Sequence, residues 1–299
     1  MSGIMMISVG NSYGSLPVNT VAPVVSGTAT VGQTLSTTNG TWTGAPAPTF
    51  TYQWQRSGSN IGGATSSTYV LEFGDAGSTL RCVVTATNTL GAVGANSNST
   101  GTVALPALGS AAGGGFYGGQ ISTTGNGVAT HYLIIGPRSS AQSSLAWKTS
   151  DTSTPGTSSV INGPANSAVM NNASHPAAQF CEGLTIGGFS DWYLPALNEL
   201  EVLYFNFKPT TQNNNTNSGT NPNSVPIRGS NYTTGNPAQT SVSAYITGGS
   251  EAFTADDYKT STEFDAAIAW VQSFSSGRQN DGIAKTAVSM VRAIRRVAV

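Results

Sequence analysis

The sequence predicts a mainly β chain, a small β-sandwich followed by an α+β domain with two short helices. Three observations predict it. Short runs that alternate in polarity, as at residues 51–56 and 80–86, recur between Gly and Asn turn signals. A glycine-rich stretch at residues 105–115 separates two textures of sequence. Apolar residues take up helical spacing in only two places, around residues 174–183 and after Pro195.

Composition narrows the function classes. Charged residues make up 8 % of the 299, against roughly 25 % in an ordinary globular protein. The net charge of −1 argues against nucleic acid or an anionic membrane as partner. No apolar run approaches the roughly 20 residues of a membrane span, so membrane insertion is not expected. Cys82 and Cys181 stand on opposite sides of the glycine-rich stretch, so both are expected as free thiols. The N-terminus carries no basic segment and too short an apolar run for a signal peptide. The expectation is a chain made in the cytoplasm that reaches the outside by assembly or lysis.

Residues 1–19 read as an arm without a core of its own. It is either a flexible tail or a docking segment that offers Ile4, Met5, Met6, Ile7 and Val9 to a partner. Residues 20–104 form the sandwich. Tyr52 and Trp54 share one face of a strand, and Leu80, Cys82, Val84 and Ala86 share one face of another. Residues 105–115 form a linker, flexible at its three glycines.

The second domain starts at Phe116, with strands around residues 116–121, 131–135 and 144–148. Residues 150–172 read as a polar loop. Ser174 is a candidate N-cap for a short helix that holds Pro176 in its first turn and ends at Gly183. Residues 187–200 then read as a turn, a short strand with Trp192 and Leu194 on one face, and a helix started by Pro195. Leu197, Leu200, Leu203, Tyr204 and Phe207 give that helix an apolar face. Residues 208–250, rich in Asn, Thr, Ser and Gly, read as outer loops. Residues 269–274 are strand, 276–280 a turn, and 290–297 a closing strand.

Residues 40–44, 52–56, 61–65 and 75–82 resemble a bacterial and phage immunoglobulin-like domain, over about residues 18–104. The resemblance implies that Trp54 packs in the core near Cys82, with Leu35 where the partner cysteine would stand. Residues 145–148, 178–181, 188–195, 198–200, 261–264, 269–270 and 291–296 resemble the domain family at the C-terminus of Legionella collagen-like protein, over residues 116–299. That family resembles C-type-lectin-like folds and the formylglycine-generating enzyme. It implies a structural signature of Trp147, Asp191, Trp192, Pro195, Glu199, Trp270, Arg292 and Arg295. One departure is Lys259, where the family carries an aromatic residue.

Asp191 and Glu199 could form an acid/base pair. The stronger reading has Asp191 holding the turn, Glu199 in the first helical turn, and Asp191 or Glu263 neutralising one of Arg292, Arg295 and Arg296. Cys181 reads as a small buried hydrophobe, and His131 and His175 have no partner at metal-ligand spacing. Asp256 and Asp257 are the only adjacent acidic pair, and no calcium-and-sugar motif appears. No catalytic residue, metal or cofactor is expected. The two resemblances imply a phage virion protein, a fibre or capsid-decoration component that is expected to be a homo-oligomer. It would dock to other virion proteins through its arm and adhere to a host surface glycan or protein. Tyr232, Tyr245, Phe253, Tyr258, Gln279 and Asn280 are the expected contact residues, because aromatic faces stack on sugars and amides bond to hydroxyls. A bacterial surface adhesin is the alternative, and a formylglycine-generating-type enzyme a further one.

Overall fold

Alternation along the strands builds the first core. The computed structural model describes residues 14–280 and 283–299. The chain is mainly β and forms two compact units, Met1–Leu105 and Pro106–Val299. The first holds β1 (Ser15–Val21), β2 (Val25–Ser26), β3 (Thr34–Thr37), β4 (Thr41–Ala45), β5 (Thr49–Arg56), β6 (Ser59–Asn60), β7 (Thr68–Val70), β8 (Leu80–Asn88) and β9 (Gly91–Asn96). They form sheets of order β2-β3-β7 and β6-β5-β8-β9, with β1 paired to β4. Leu80, Cys82, Val84 and Ala86 of β8 are fully buried, the period of two expected of a half-buried strand. Trp54 lies directly opposite Cys82 across β5 and β8. Its ring stacks on Tyr69 of β7 at 5.7 Å and its indole N–H donates to the Ser66 carbonyl. Leu35 of β3 is fully buried. Buried Asp75 accepts from Arg56 Nε (2.7 Å), the Tyr69 hydroxyl and the Glu72 amide, which pins the turn before β8.

The expected arm needs correction, because residues 15–19 belong to β1 and pair with β4. Ile4 to Val9 lie outside the described residues. The expected linker also needs correction. β10 (Ala111–Ala112) pairs with β11 (Gly115–Ile121) across Gly113-Gly114, both at positive φ (61° and 83°). Two left-handed residues are what a two-residue hairpin turn demands, so these glycines build a turn.

The second unit continues with β12 (His131–Ile135), α1 (Arg138–Ala141), β13 (Gln142–Ala146), α2 (Gly163–Val169), α3 (Pro176–Glu182), α4 (Leu197–Phe207), β14 (Asp257–Glu263), β15 (Ala269–Ser273), β16 (Gln279–Asn280), β17 (Val288–Arg292) and β18 (Ile294–Ala298). Two sheets result, β10-β11-β12-β18 and β13-β17-β14-β15-β16. The single closing strand expected at 290–297 is two strands. The chain changes sheet at buried Ala293, which bonds to Ala141 and Gly136 instead of continuing either ladder.

Four α-helices stand among the described residues, against the two expected. α2 was hidden in the polar loop. Asn162 caps it through Oδ1 and Pro164 occupies its first turn, both start signals. α3 starts one residue later than expected, with His175 as N-cap. α4 is the central element. Leu200, Leu203, Tyr204 and Phe207 are fully buried and Leu197 nearly so. Asn198, Glu199, Glu201 and Val202 are buried too, so the helix is enclosed on more than one face. Pro195 precedes the cap rather than starting the helix. Ala196 is the N-cap in extended conformation, and its amide donates to Glu199 Oε2 at 2.7 Å.

Candidate functional site

The loops of residues 208–250 fold inward. Asn214 accepts from the Tyr204 hydroxyl (2.6 Å) and donates to the Pro237 carbonyl. Asn221 donates to Asn198 O and Glu201, and Asn223 accepts from Asn198 and donates to Ser122 O. These amides tie irregular backbone to α4, where regular ladders are absent.

The same folding overturns four of the expected contact residues. Tyr232, Tyr245, Phe253 and Tyr258 are 4 %, 0 %, 1 % and 0 % exposed. The Tyr232 hydroxyl donates to Glu201 (2.6 Å) and that of Tyr258 to Gln142 (3.0 Å). Tyr245 packs on Phe207 at 4.3 Å, and Phe253 stacks on Phe274 at 4.0 Å. A ring enclosed this way has no face for a ligand. Composition marked the loops of Tyr232 and Tyr245 as surface, and Phe253 and Tyr258 lie just beyond them, Tyr258 on the strand Asp257–Glu263; all four rings fill the core. Gln279 is half-buried in β16, its amide bonded to Ser218 Oγ. The Asn280 side chain lies outside the described residues.

The signature residues are mostly structural. Trp147 and Trp192 are fully buried; their indole N–H groups donate to Thr260 O (2.9 Å) and Phe189 O (3.0 Å). Trp270 is half-buried, edge-on to exposed Phe264. Buried Arg292 donates to Gly136 O, Gln142 and Glu251. Arg295 forms a two-pronged pair with Asp191, Nε–Oδ1 2.6 Å and Nη2–Oδ2 2.9 Å, the expected carboxylate–arginine contact. Glu263 pairs with Lys285 instead. Lys259, the departure from the family pattern, is buried and donates to Ala284 O; burial lowers its pKa to about 8.

One surface feature brings polar side chains together beside a rigid floor. It is a depression of about 800 Å³ lined by Thr123, His131, Ser159, Ile161, Asn162, Pro164, Arg296 and Ala298. Three elements converge there: β12 supplies His131, the loop into α2 supplies Ser159 to Pro164, and β18 supplies Arg296. Successive residues of a strand point to opposite faces, so Arg296 turns away from the Arg295–Asp191 pair. It meets Glu199 (Nε–Oε1 2.5 Å), the Tyr193 hydroxyl (3.0 Å) and the Ile161 carbonyl. Tyr193 donates to the same Glu199 oxygen at 2.5 Å. Burial pushes the Glu199 carboxyl up from its ordinary value, and Arg296, Tyr193 and the Ala196 amide pull it back. Burial also works against the Arg296 charge, yet Tyr193 and Glu199 hold its pKa above the ordinary value. Gly163 makes room for this floor. A Cβ there would sit 2.1 Å from Glu199 Oε2.

His131 lies at the rim, with Nδ1 3.0 Å from Thr130 Oγ1. Burial, then Arg296, lower its pKa, which favours the uncharged imidazole. The depression therefore offers hydroxyl, amide and imidazole groups beside aliphatic surface, with its one cation already countered by Glu199. Sequence reasoning missed it. Its lining comes from three distant segments, and only Asn162-Gly163-Pro164, as a helix start, carried a local signal. His175 is instead interior, bonded to Thr154 and Asn172 at 2.9 Å each. Cys82 and Cys181 are free and buried, and burial pushes both thiols up. Among the described residues, no cluster of three His, Cys, Asp or Glu could hold a metal ion. No family model matches the chain, and no curated protein matches it in sequence.

Proposed function

We propose that the chain is a non-enzymatic phage virion protein, fibre or decoration-like, whose second unit attaches to a host-surface glycan through the depression at Arg296. The observation that carries this reading is the chemistry of that depression. Neutral hydroxyl, amide and imidazole groups stand beside Ile161, Pro164 and Ala298 on a floor fixed by Arg296, Glu199 and Tyr193. Hydroxyl-rich ligands are held by such groups when a preformed site spares the cost of ordering it.

An immunoglobulin-like spacer is consistent with a three-stranded and a four-stranded sheet, Trp54 opposite Cys82, and Leu35 in place of a second cysteine. A C-type-lectin-like second unit is consistent with two sheets around a buried helix and long ordered loops. The buried Cys181 thiol, with its raised pKa, weighs against thiol chemistry of the formylglycine-generating kind. Residues before β1 would dock to other virion proteins.

Mass spectrometry of purified particles tests the assembly half. Detection in virions at a stoichiometric level is expected; detection only in the host envelope would replace the reading with a bacterial adhesin. Host-cell binding by the full chain tests the adhesion half. Asn162→Ser, which keeps an N-cap oxygen for α2 while removing the amide, and His131→Ala should each weaken it several-fold with little change in melting temperature, and binding equal to the parent in both would remove the groove from the proposal.

A further inference from the structure

We infer that the chain cleaves its own backbone between Ser153 and Thr154, with the Thr154 hydroxyl as nucleophile, His175 as general base and the Lys148 ammonium as the donor to the carbonyl oxygen under attack. This is a single event on the chain's own peptide bond. It does not use the groove and does not depend on the adhesion reading.

Every polar atom of Thr154 is engaged. Its amide donates to both Glu263 oxygens (2.9 and 3.1 Å), and its carbonyl accepts from Thr157 Oγ1 (2.7 Å). Its hydroxyl lies 2.9 Å from His175 Nε2, and His175 Nδ1 lies 2.9 Å from Asn172 Oδ1. Asn172 Oδ1 also accepts the Ser174 amide (3.1 Å), while Asn172 Nδ2 donates to Val169 O, so toward the imidazole this oxygen can only accept. Nδ1 therefore carries the ring proton, and Nε2 turns its lone pair to the Thr154 hydroxyl. Hydroxyl, imidazole and orienting carbonyl stand in the order of a nucleophile, its base and the group that fixes the base's tautomer. Burial, then Lys148 and Lys285, lower the His175 pKa, which favours the neutral imidazole that a base must be. Thr154 and His175 are buried, but Ser153 and Pro155 on either side of Thr154 are exposed, so water reaches the bond.

Lys148 makes the preceding peptide bond the target. Its buried ammonium donates to Ser153 O (2.9 Å), Thr154 Oγ1 (2.9 Å) and Thr152 O (3.0 Å). One cation thus gathers the carbonyl oxygen and the nucleophile on the same side of the chain, and attack within a single residue carries no cost of bringing reactants together. Oγ1 bonds to the Ser153 carbonyl carbon as its proton passes to His175 Nε2, and Lys148 faces the oxyanion. The C–N bond then breaks, its electron pair stays on the Thr154 nitrogen, and His175 returns the proton to that nitrogen. The product is a Ser153 ester on Thr154 Oγ1 with a free amine, which takes a proton from water and stands as an ammonium beside the Glu263 carboxylate. Water hydrolyses the ester, giving its hydroxyl to the acyl carbon and its hydrogen to Oγ1. Fragments 1–153 and 154–299 result. They stay in one fold, because β12 pairs with β18 and β13 with β17 across the cut.

The test holds the full chain at neutral pH, with and without hydroxylamine, and follows it by denaturing electrophoresis and intact mass. Conversion to fragments 1–153 and 154–299 is expected, with Thr154 as the new N-terminus. Hydroxylamine attacks esters, so it should speed the conversion and leave Ser153 as a C-terminal hydroxamate. Thr154→Ser should still cleave, and Thr154→Val should stay whole. His175→Gln and Lys148→Met should each slow cleavage about a hundredfold or more. Melting curves show which variants are folded; where one is not, the cut site and the hydroxamate of the parent chain decide. A parent chain that stays whole in hydroxylamine overturns the inference. So does a cut at another bond, or cleavage at the parent rate in folded Thr154→Val or His175→Gln. None of these outcomes bears on host-cell binding at the groove.

Discussion

Arg295 and Arg296 are neighbours in sequence and do opposite things, because a strand turns successive side chains to opposite faces. Arg296 is nearly enclosed with Glu199. Glu199→Gln keeps the shape and the Tyr193 contact but leaves a buried guanidinium without its counter-charge. The expected loss is about 3–5 kcal/mol, read as a shift in denaturant midpoint; a shift near zero would show that the pair is solvated. Trp192→Ala removes the largest side chain of the same stretch and should cost roughly 3–5 kcal/mol. Buried tyrosines set a pH limit. Burial first, then Glu199 and Glu201, push the Tyr193 and Tyr232 hydroxyls well above their ordinary value. A folded-state pKa above the unfolded one means full stability below pH about 10 and loss as pH rises past it. Buried Lys259 and Lys208 act the other way: their folded-state pKa values are lowered, so the unfolded chain binds more protons and stability rises from pH about 8 to 10. Denaturation midpoints should therefore rise over that range and fall beyond it as the tyrosines titrate; a midpoint still rising past pH about 11 would contradict it. The pairing of Asp191 with an arginine was legible in the sequence because charges are so few. The choice of Arg295 was not, since it depends on which face of β18 meets the turn.

Elements with a strong period were the easiest to read. α4 and the buried row of β8 follow from their spacing alone. α2 did not, because Gly163, Pro164, Asn166 and Ser167 carry no apolar face; Ser167 and Asn166 bury polar groups that bond to Leu194 N–H and Ser159 O. The long loops were misread for a related reason. Asn, Ser and Thr usually signal solvent, but here Asn214, Asn221 and Asn223 supply hydrogen bonds that strands would otherwise provide. Two changes separate these elements. Gly163→Ala drives a methyl group into Glu199 at the start of α2, and should cost about 1–3 kcal/mol while disturbing Arg296 and the groove. Asn214→Ala leaves the Tyr204 hydroxyl without its acceptor and should cost about 1–3 kcal/mol. Hydrogen exchange distinguishes them: the second should speed exchange at residues 210–237 and spare α2.

At the scale of the whole molecule, the scarcity of charge and the pairing of charge are one property. Among the described residues, six acid–base pairs use Arg56, Arg228, Lys285, Arg292, Arg295 and Arg296, and the carboxylates of four of them are 9 % exposed or less. Half of the twelve lysines and arginines are countered in this way, and the charges exposed at the surface, such as Asp151, Asp256, Asp265 and Arg278, are few beside the hydroxyls and amides. Long-range attraction of a charged partner then has little to act through. Adhesion built on stacking and neutral hydrogen bonds should be nearly independent of salt. Binding of the full chain to host cells should change less than about twofold between about 50 and 500 mM sodium chloride. A partner held by complementary charge would weaken steeply over that range, as screening shortens to about 4 Å. A steep salt dependence would point to an ionic receptor contact and away from the groove, whose cation is already countered by Glu199.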